Sequence, residues 1–333
     1  MPEQITEVAV AIFQRADGSF LLSSRPQGKP YAGFWEFPGG KIEAGESVRA
    51  ALVRELVEEL NVTITEASPW FSFIMRYTHA TVRLNCWRVR AWQGELRGME
   101  GQEFCWQSLD GLSADAMTVS PTLPGCVPIF AALCLGETYL ITNASEMGAE
   151  NYLKKLRAVF SAIASNTAPA LKFGGFIYPR LIQVREKKLP ADALKKFARD
   201  VIAIGHEHGA RVLINSDVAL ALHVKADGVH LTSAQLRDVA MRPDFELVGA
   251  STHTRAELAR AAELKCDFAV LGPVKVTASH PNAKPMGWDA FAAAVDATPI
   301  PCFALGGLSR ADLHHAIAHG AQGVAVMRGF TSA

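Results

Sequence analysis

Glu55, Glu58 and Glu59 stand at i, i+3 and i+4 along one apolar-periodic run, a spacing that brings three carboxylates to one side of a helix. Like charges that close repel one another and destabilise the helix unless something neutralises them. A hard divalent cation with oxygen ligands does this well. Gly39 and Gly40 precede the run, and their bare backbone lets N–H and C=O groups approach a metal or phosphate with no side chain between. Glu46 falls at the helix entrance, where a carboxylate favours the dipole. Arg54 can reach back to Glu46 or forward one turn to Glu58. The segment points to a metal site beside a phosphate-handling turn.

The elements that must position these groups can be read from periodicity. The carboxylate helix is expected from about Ser47 to Leu60, with Leu52, Val53, Leu56, Val57 and Leu60 on a broad apolar arc. Strands are expected at Ile5–Phe13, Phe20–Ser24, Trp35–Phe37, Trp70–Arg76, Thr81–Trp92 and Phe104–Leu109, with a Pro38-Gly39-Gly40 turn and a helix over Val127–Cys134. Mixed strands around one long helix suggest an α/β/α sandwich over residues 1–135. Beyond Gly136 the rhythm changes. Strands at Tyr139–Ile141, Leu181–Val184, Val212–Asn215, Gly228–Leu231, Leu247–Ser251, Phe268–Gly272, Cys302–Leu305 and Gly323–Met327 are interleaved with helices at Asn151–Ser165, Ala191–His208, Arg255–Leu264, Trp288–Val295 and Ala311–His319. Eight strands with intervening helices read as a (β/α)8 TIM barrel over residues 138–333, so the whole chain is α/β.

Barrels carry their active groups at strand C-terminal ends. Here those ends hold Gln183, Arg185 and Lys187; Asn215; His230; Ser251 and His253; Gly306 and Gly307; and Arg328-Gly329. Arg185 and Lys187 alternate onto one face and can clamp a phosphate, and Gly306-Gly307 is expected to open a helix-entry turn suited to phosphate.

Composition narrows the function classes. The 333 residues are too many for one typical core and suit two domains. Lys+Arg and Asp+Glu both number 33, and this neutral balance disfavours a stable nucleic-acid binder or a membrane-surface protein. The six cysteines form no C-x-x-C pair and suit a reducing, cytoplasmic setting. No apolar run is long enough to span a bilayer.

From Gly40 to Val62 the residues read G-x5-E-x7-R-E-L-x-E-E-x-N-V. This closely resembles the Nudix box, in which a glycine stands where this chain has Asn61. A solvated acidic face would share the helical period but not the fixed offsets of Gly40, Glu46 and Arg54. The resemblance implies Mg2+ or Mn2+ held by Glu55, Glu58 and Glu59 with the Gly40 carbonyl, and Glu55 as base or water orienter. Arg25, the run Glu36-Phe37-Pro38-Gly39-Gly40-Lys41-Ile42-Glu43, and Trp92–Leu96 through Glu100-Gly101-Gln102 further resemble the MutT-type 8-oxo-dGTP diphosphatases. That resemblance implies Glu100 as a further metal ligand or base. It also implies a substrate site that includes Arg25, Glu36, Phe37, Gly39, Gly40 and Lys41. MutT proteins read the oxidised purine with an Asn near the start of their last helix; Ser120–Pro128 contains none.

Residues 138–330 are similar to the thiamine-phosphate synthase and TenI family, through Q-x-R-E-K, N-x-D-V, G-V-H-L, G-A-S-x-H-T, L-G-P-V and G-G-L in that order. The similarity implies a ligand site including Gln183, Arg185, Lys187, Asn215, Ser251, Gly306 and Gly307. Synthases carry Mg2+-binding carboxylates where this chain has Ser216 and, nearby, Gln235, and a phosphate-binding Lys where it has His280. TenI-type members also lack those carboxylates and use a His at the position of His253 as acid–base group. The expected function is therefore a Mg2+-dependent (or Mn2+-dependent) diphosphatase of the nucleotide pool, with 8-oxo-dGTP as its small-molecule substrate. It would be fused to a degenerate barrel that takes a thiamine-related phosphate as tautomerase or sensor. A thiamine-related diphosphate is the alternative substrate of the hydrolase, and the chain can form oligomers.

Overall fold

The computed structural model describes residues 4–108, 117–164, 180–277 and 284–328. Leu109, Ser165, His280 and Gly329, named above, lie outside the described residues. The chain divides into two compact units, Met1–Cys134 with Ala297–Pro299, and Leu135–Asp296 with Ile300–Ala333.

In the first unit, β1 (Ile5–Phe13) pairs parallel with β6 (Thr81–Gln93) and antiparallel with β4 (Gly39–Lys41), while β5 (Thr63–Arg76) flanks β6 antiparallel. The resulting sheet order is β4-β1-β6-β5. A second, antiparallel sheet sets β2 (Phe20–Ser24) between β3 (Trp35–Glu36) and β7 (Phe104–Gln107). Ala9, Ala11 and Phe13 share one face of β1 by strand parity, and the two alanines let α1 (Val48–Leu60) lie close. Ala51, Leu52, Leu56 and Leu60 of α1 are fully buried there, each leucine contributing roughly 2 kcal/mol. Val57, expected on the apolar arc, is exposed. On α2 (Cys126–Cys134), Phe130 packs 5.6 Å from the rings of both Phe20 and Phe37. α1 covers the Ala9–Phe13 face of the first sheet, and α2 residues Cys126 and Ile129 share a pocket with Val10 and Leu84, in line with the expected α/β/α arrangement.

Two details correct the sequence reading. The Gly39-Gly40 turn is a short strand, its residues facing Val10 and Ala9. β5 begins at Thr63 rather than Trp70, because it follows β6 through several register shifts.

The second unit is a closed barrel of eight parallel strands, β8 (Thr138–Ile141), β9 (Leu181–Val184), β10 (Arg211–Asn215), β11 (Gly228–Leu231), β12 (Leu247–Thr252), β13 (Phe268–Leu271), β14 (Cys302–Leu305) and β15 (Gly323–Val326), with β15 closing on β8. Side chains alternate between two cores. Tyr139, Leu181, Leu213, Leu247, Phe268 and Phe303 fill the interior. Leu140, Ile182, Val212, Ile214, Val229 and Val248 face the surrounding helices. These include α3 (Ala149–Ala164), α4 (Ala191–Glu207), α7 (Arg255–Glu263), α8 (Gly287–Val295) and α9 (Leu313–Ala318). Two further helices, α5 (Val218–Val224) and α6 (Ser233–Asp238), follow β10 and β11. No described helix is long and apolar enough to cross a membrane.

Candidate active site

The caps of α1 fix where its carboxylates point. Ser47 Oγ accepts the Ala50 N–H at 3.2 Å. Asn61 closes the helix in the left-handed region (φ 56°), its N–H donating to the Val57 carbonyl while the Val62 N–H donates to the Leu56 carbonyl. Asparagine tolerates that conformation, so the loss of the glycine usual at this point leaves the helix end intact.

Arg54 is the hub of the carboxylate face. It donates through Nε and Nη2 to the two Glu46 oxygens (3.1 and 2.9 Å), through Nη2 to the Lys41 carbonyl (2.9 Å), and through Nη1 to Glu55 (2.8 Å) and Glu58 (3.5 Å). Both partners expected for Arg54 are engaged at once. Its hydrogen bond, followed by the Glu43 N–H, holds Glu46 below the ordinary carboxylate range.

Glu55 lies over β4. A Cβ added at Gly40 would sit 2.1 Å from the Glu55 carboxyl carbon, so a glycine is required for this approach. Gly39 takes φ +140°, and a Cβ there would meet the Ala9 carbonyl oxygen at 2.1 Å. The Gly39 N–H points to Glu59 Oε2 at 3.4 Å. Burial pushes Glu59 up to about 7; Lys29 opposes the shift, and the Glu55 and Glu36 carboxylates add to it. Glu58 is more than half exposed.

Glu100 comes to the same face from the β6–β7 loop. The Met99 N–H donates to the Glu59 carbonyl (2.9 Å), Gln102 Nε2 donates to that carbonyl (2.8 Å), and Gln102 Oε1 accepts the Glu100 N–H (2.8 Å). The Glu100 carboxylate accepts from Lys29 Nζ at 2.6 Å, and the same ammonium lies 3.9 Å from Glu59. Lys29 was not among the residues expected here.

Among the described residues no three His, Cys, Asp or Glu side chains converge in ligating positions. Cationic side chains stand among the carboxylates instead. The donor set is nonetheless that of a hard divalent ion: carboxylate oxygens beside a bare glycine backbone, with one ammonium already held between two of them.

Arg25 and Glu36 face each other, Nη1 donating to both carboxylate oxygens at 2.5 and 2.6 Å, while Arg25 Nε donates to the Pro30 carbonyl. Glu36 lines a pocket whose walls also include Val10, Phe37, Tyr77, Leu84 and Cys126. Phe37 itself is buried and Lys41 is exposed. Gly125 leaves room for Tyr77, whose hydroxyl would lie 2.6 Å from a Cβ there. Cys126, the first residue of α2, forms part of this wall. Its thiol donates to the Trp35 carbonyl, and burial pushes it up to about 12, so it stays neutral. Neither Tyr77 nor Cys126 was among the residues expected at this site.

In the barrel, strand parity turns Gln183, Asn215, His230 and Ser251 inward. Gln183 Nε2 donates to Asn215 Oδ1 at 3.1 Å. His230 bridges Ser251 Oγ (Nε2, 3.0 Å) and the Tyr139 hydroxyl (Nδ1, 3.2 Å). Gly249 makes room for this imidazole, since a Cβ there would lie 2.7 Å from His230 Nδ1. Burial, then the Arg185 charge, pulls His230 down to about 3, so it is neutral. Arg185 is half-buried, which disfavours its charge, with Glu186 opposing; Lys187 is exposed on the following turn. Ser216 (φ 61°) and Gln235 meet, the Gln235 amide donating to the Ser216 carbonyl at 2.7 Å. The two positions where a synthase carries carboxylates are thus adjacent and uncharged.

His253 is exposed just past β12, and its ring Nδ1 and backbone N–H both face Glu257 Oε2. Gly306 and Gly307 do not open a helix. They pack under Pro273–Val276, where a Cβ would meet Pro273 Cα at 2.6 Å and the Val276 carbonyl oxygen at 2.2 Å, and α9 starts only at Leu313.

Both halves have sequence counterparts. The NUDIX domain profile matches residues 5–123 and the thiamine monophosphate synthase profile residues 138–330. A Geobacter sulfurreducens protein, provisionally named a thiamine-phosphate synthase, is 37% identical over 193 residues, covering 57% of this chain and 84% of its own. The CTP pyrophosphohydrolase of Escherichia coli is 36% identical over 129 residues, covering 39% of this chain and 91% of its own. A solved MutT structure from work on Aliivibrio salmonicida and Vibrio cholerae is 31% identical over 39% of this chain and 97% of that one, at TM-score 0.33. The chain belongs to the thiamine monophosphate synthase family through its barrel and carries a Nudix diphosphatase domain ahead of it.

Proposed function

We propose that the first unit hydrolyses a nucleoside triphosphate to the monophosphate and pyrophosphate, with 8-oxo-dGTP as the leading substrate and Mg2+ or Mn2+ as cofactor. The observation that carries this reading is the Glu55 carboxylate seated on Gly40, with Glu59 beside the Gly39 N–H. Glu55, Glu58, Glu59, Glu100 and the Gly40 carbonyl would hold the cation, which supplies Lewis-acid polarisation of the phosphoryl oxygens and an activated water. Arg54 keeps Glu55 oriented. Glu55, at the bare β4 backbone, orients the water and takes up its proton. The Arg25–Glu36 pair and the Tyr77 wall receive the base. A kcat/KM panel of 8-oxo-dGTP, dGTP, CTP and thiamine diphosphates tests the assignment, with Glu55→Gln as the inactive control. Equal, slow turnover of every compound, unchanged in that variant, would remove it.

A second reading is a thiamine-related diphosphate as substrate. It is favoured by the lack of an Asn in Ser120–Pro128, near the start of the last helix of this unit, where MutT proteins carry one, and by fusion to this barrel. In the barrel, the neutral His230 between Ser251 and Tyr139, with Arg185 at the rim, suits binding of a small phosphate. His253 is the acid–base candidate for tautomerase chemistry. Calorimetry with a thiazole phosphate, with and without hydrolase turnover, separates a catalytic barrel from a sensor.

A further inference from the structure

We propose that Lys29 is a resident counter-ion of the carboxylate cluster, which a divalent cation displaces from Glu59 and Glu100 and which then pairs with the polyphosphate of the substrate. The inference rests on the Nudix reading of the first unit.

One ammonium serves two carboxylates, 2.6 Å from Glu100 and 3.9 Å from Glu59. The backbones that carry the two carboxylates are braced to each other. Glu59 sits on α1, and its backbone carbonyl carries both the Met99 N–H and the Gln102 amide, which in turn fixes the Glu100 N–H. Gln102 is buried, so this brace is shielded from water. The backbones of the two acids therefore stay together when the ammonium leaves, with the Glu100 side chain itself 44% exposed. Lys29 reaches them on a flexible four-carbon stem, and its side chain is 44% exposed.

The loop that carries Lys29 is independently anchored at both sides of it. Arg25 donates its N–H to the Phe34 carbonyl and its Nε to Pro30. Tyr31, held at φ 61°, rests its ring 5.8 Å from Tyr77 and 5.6 Å from His79. Release of the Lys29 side chain thus leaves the loop seated. A divalent ion brings twice the charge to the same two acids and wins the exchange. The freed ammonium is then repelled by that ion and faces the negative charge of the incoming phosphates.

Opposite signs in one variant distinguish this role from a plain loop latch. Mn2+ binding to the full chain without substrate, read from the electron paramagnetic resonance of free Mn2+, is expected to be about two- to fivefold tighter in Lys29→Met than in wild type. Lys29→Arg is expected to match wild type. At saturating Mn2+, Lys29→Met is expected to raise KM for the triphosphate about tenfold with a smaller change in kcat. Equal or weaker Mn2+ affinity in Lys29→Met overturns the proposal and leaves the Nudix reading standing. If the wild-type chain binds no Mn2+ at millimolar concentration, both fall.

Discussion

Alanine at Gly40 and alanine at Gly39 separate function from folding within one dipeptide. At Gly40 the backbone φ is ordinary, and the obstacle is the Glu55 carboxyl carbon 2.1 Å from the new Cβ. To reach ordinary contact at 3.4 Å, that carboxyl carbon must retreat by more than about 1 Å, which a flexible side chain does at a rotamer cost of roughly 0.5–1.5 kcal/mol. The fold survives, but Glu55 leaves its place, and a misplacement of that size costs on the order of 100-fold in turnover. At Gly39 the obstacle is the Ala9 carbonyl oxygen, also 2.1 Å away, and φ is +140°. Neither can be relieved without parting β4 from β1. Backbone strain there costs about 1–3 kcal/mol, and the lost pairing takes the total above about 3 kcal/mol. Urea unfolding followed by tryptophan fluorescence reads the first unit, which holds Trp35, Trp70, Trp87, Trp92 and Trp106, with only Trp288 in the barrel. Pyrophosphate release reads activity. Gly40→Ala with wild-type turnover, or as unstable as Gly39→Ala, would refute the reasoning.

Glu59→Gln is expected to leave metal-free stability unchanged or higher, because it removes a charge that burial disfavours, while turnover falls by about 100-fold or more; a clear loss of stability by urea titration would contradict this. Arg54→Met strips Glu46, Glu55 and the Lys41 carbonyl of their donor, and is expected to cost about 1–3 kcal/mol in the same titration together with most of the turnover. His230 is held neutral near 3 against an ordinary 6.5, so its contribution to stability is complete above pH 6.5 and is lost as pH falls toward 3, at up to about 1.4 kcal/mol per pH unit. His230→Asn is expected to flatten that dependence when barrel unfolding is followed by far-ultraviolet circular dichroism between pH 7 and 5; an unaltered slope would contradict it. Chelation of divalent ions is expected to abolish pyrophosphate release and Mn2+ to restore it, with release persisting after exhaustive chelation as the contrary result.

What could be read from the chain was local. The helix bearing Glu55, Glu58 and Glu59 shows its period over four turns, and its ends are named by Ser47 and Asn61. The barrel strands show as short apolar runs separated by helical stretches. What escaped was tertiary or short. Gly39-Gly40 reads as a turn because glycine disfavours strands; it is a strand because the Ala9 carbonyl and the Glu55 carboxylate leave no room for anything larger. α5 and α6 span seven and six residues, too few to display a helical period. Their caps were nevertheless present, Asp217 accepting from Leu220 and a Thr232–Gln235 capping box. Lys29 meets Glu100 across 71 residues, and His230 meets Tyr139 across 91, separations over which no spacing rule operates.

The carboxylate face also shows how two cationic side chains of this chain offset its charge. Three glutamates within five residues, joined by Glu100 and Glu46, would oppose α1 if left alone. Arg54 answers three of them, Glu46, Glu55 and Glu58, and as a guanidinium with a rigid fork of donors it stays in place, tied also to the Lys41 carbonyl. Lys29 answers Glu59 and Glu100 as a single mobile point charge. Glu46, Glu55 and Glu58 are bound by the arginine, and Glu59 and Glu100, whose backbones are braced together at the end of α1, by the lysine. A lysine in place of Arg54 would reach fewer of these oxygens and leave Glu55 freer over Gly40. The chain therefore neutralises this carboxylate face in two ways, through a guanidinium with several partners and through a single ammonium.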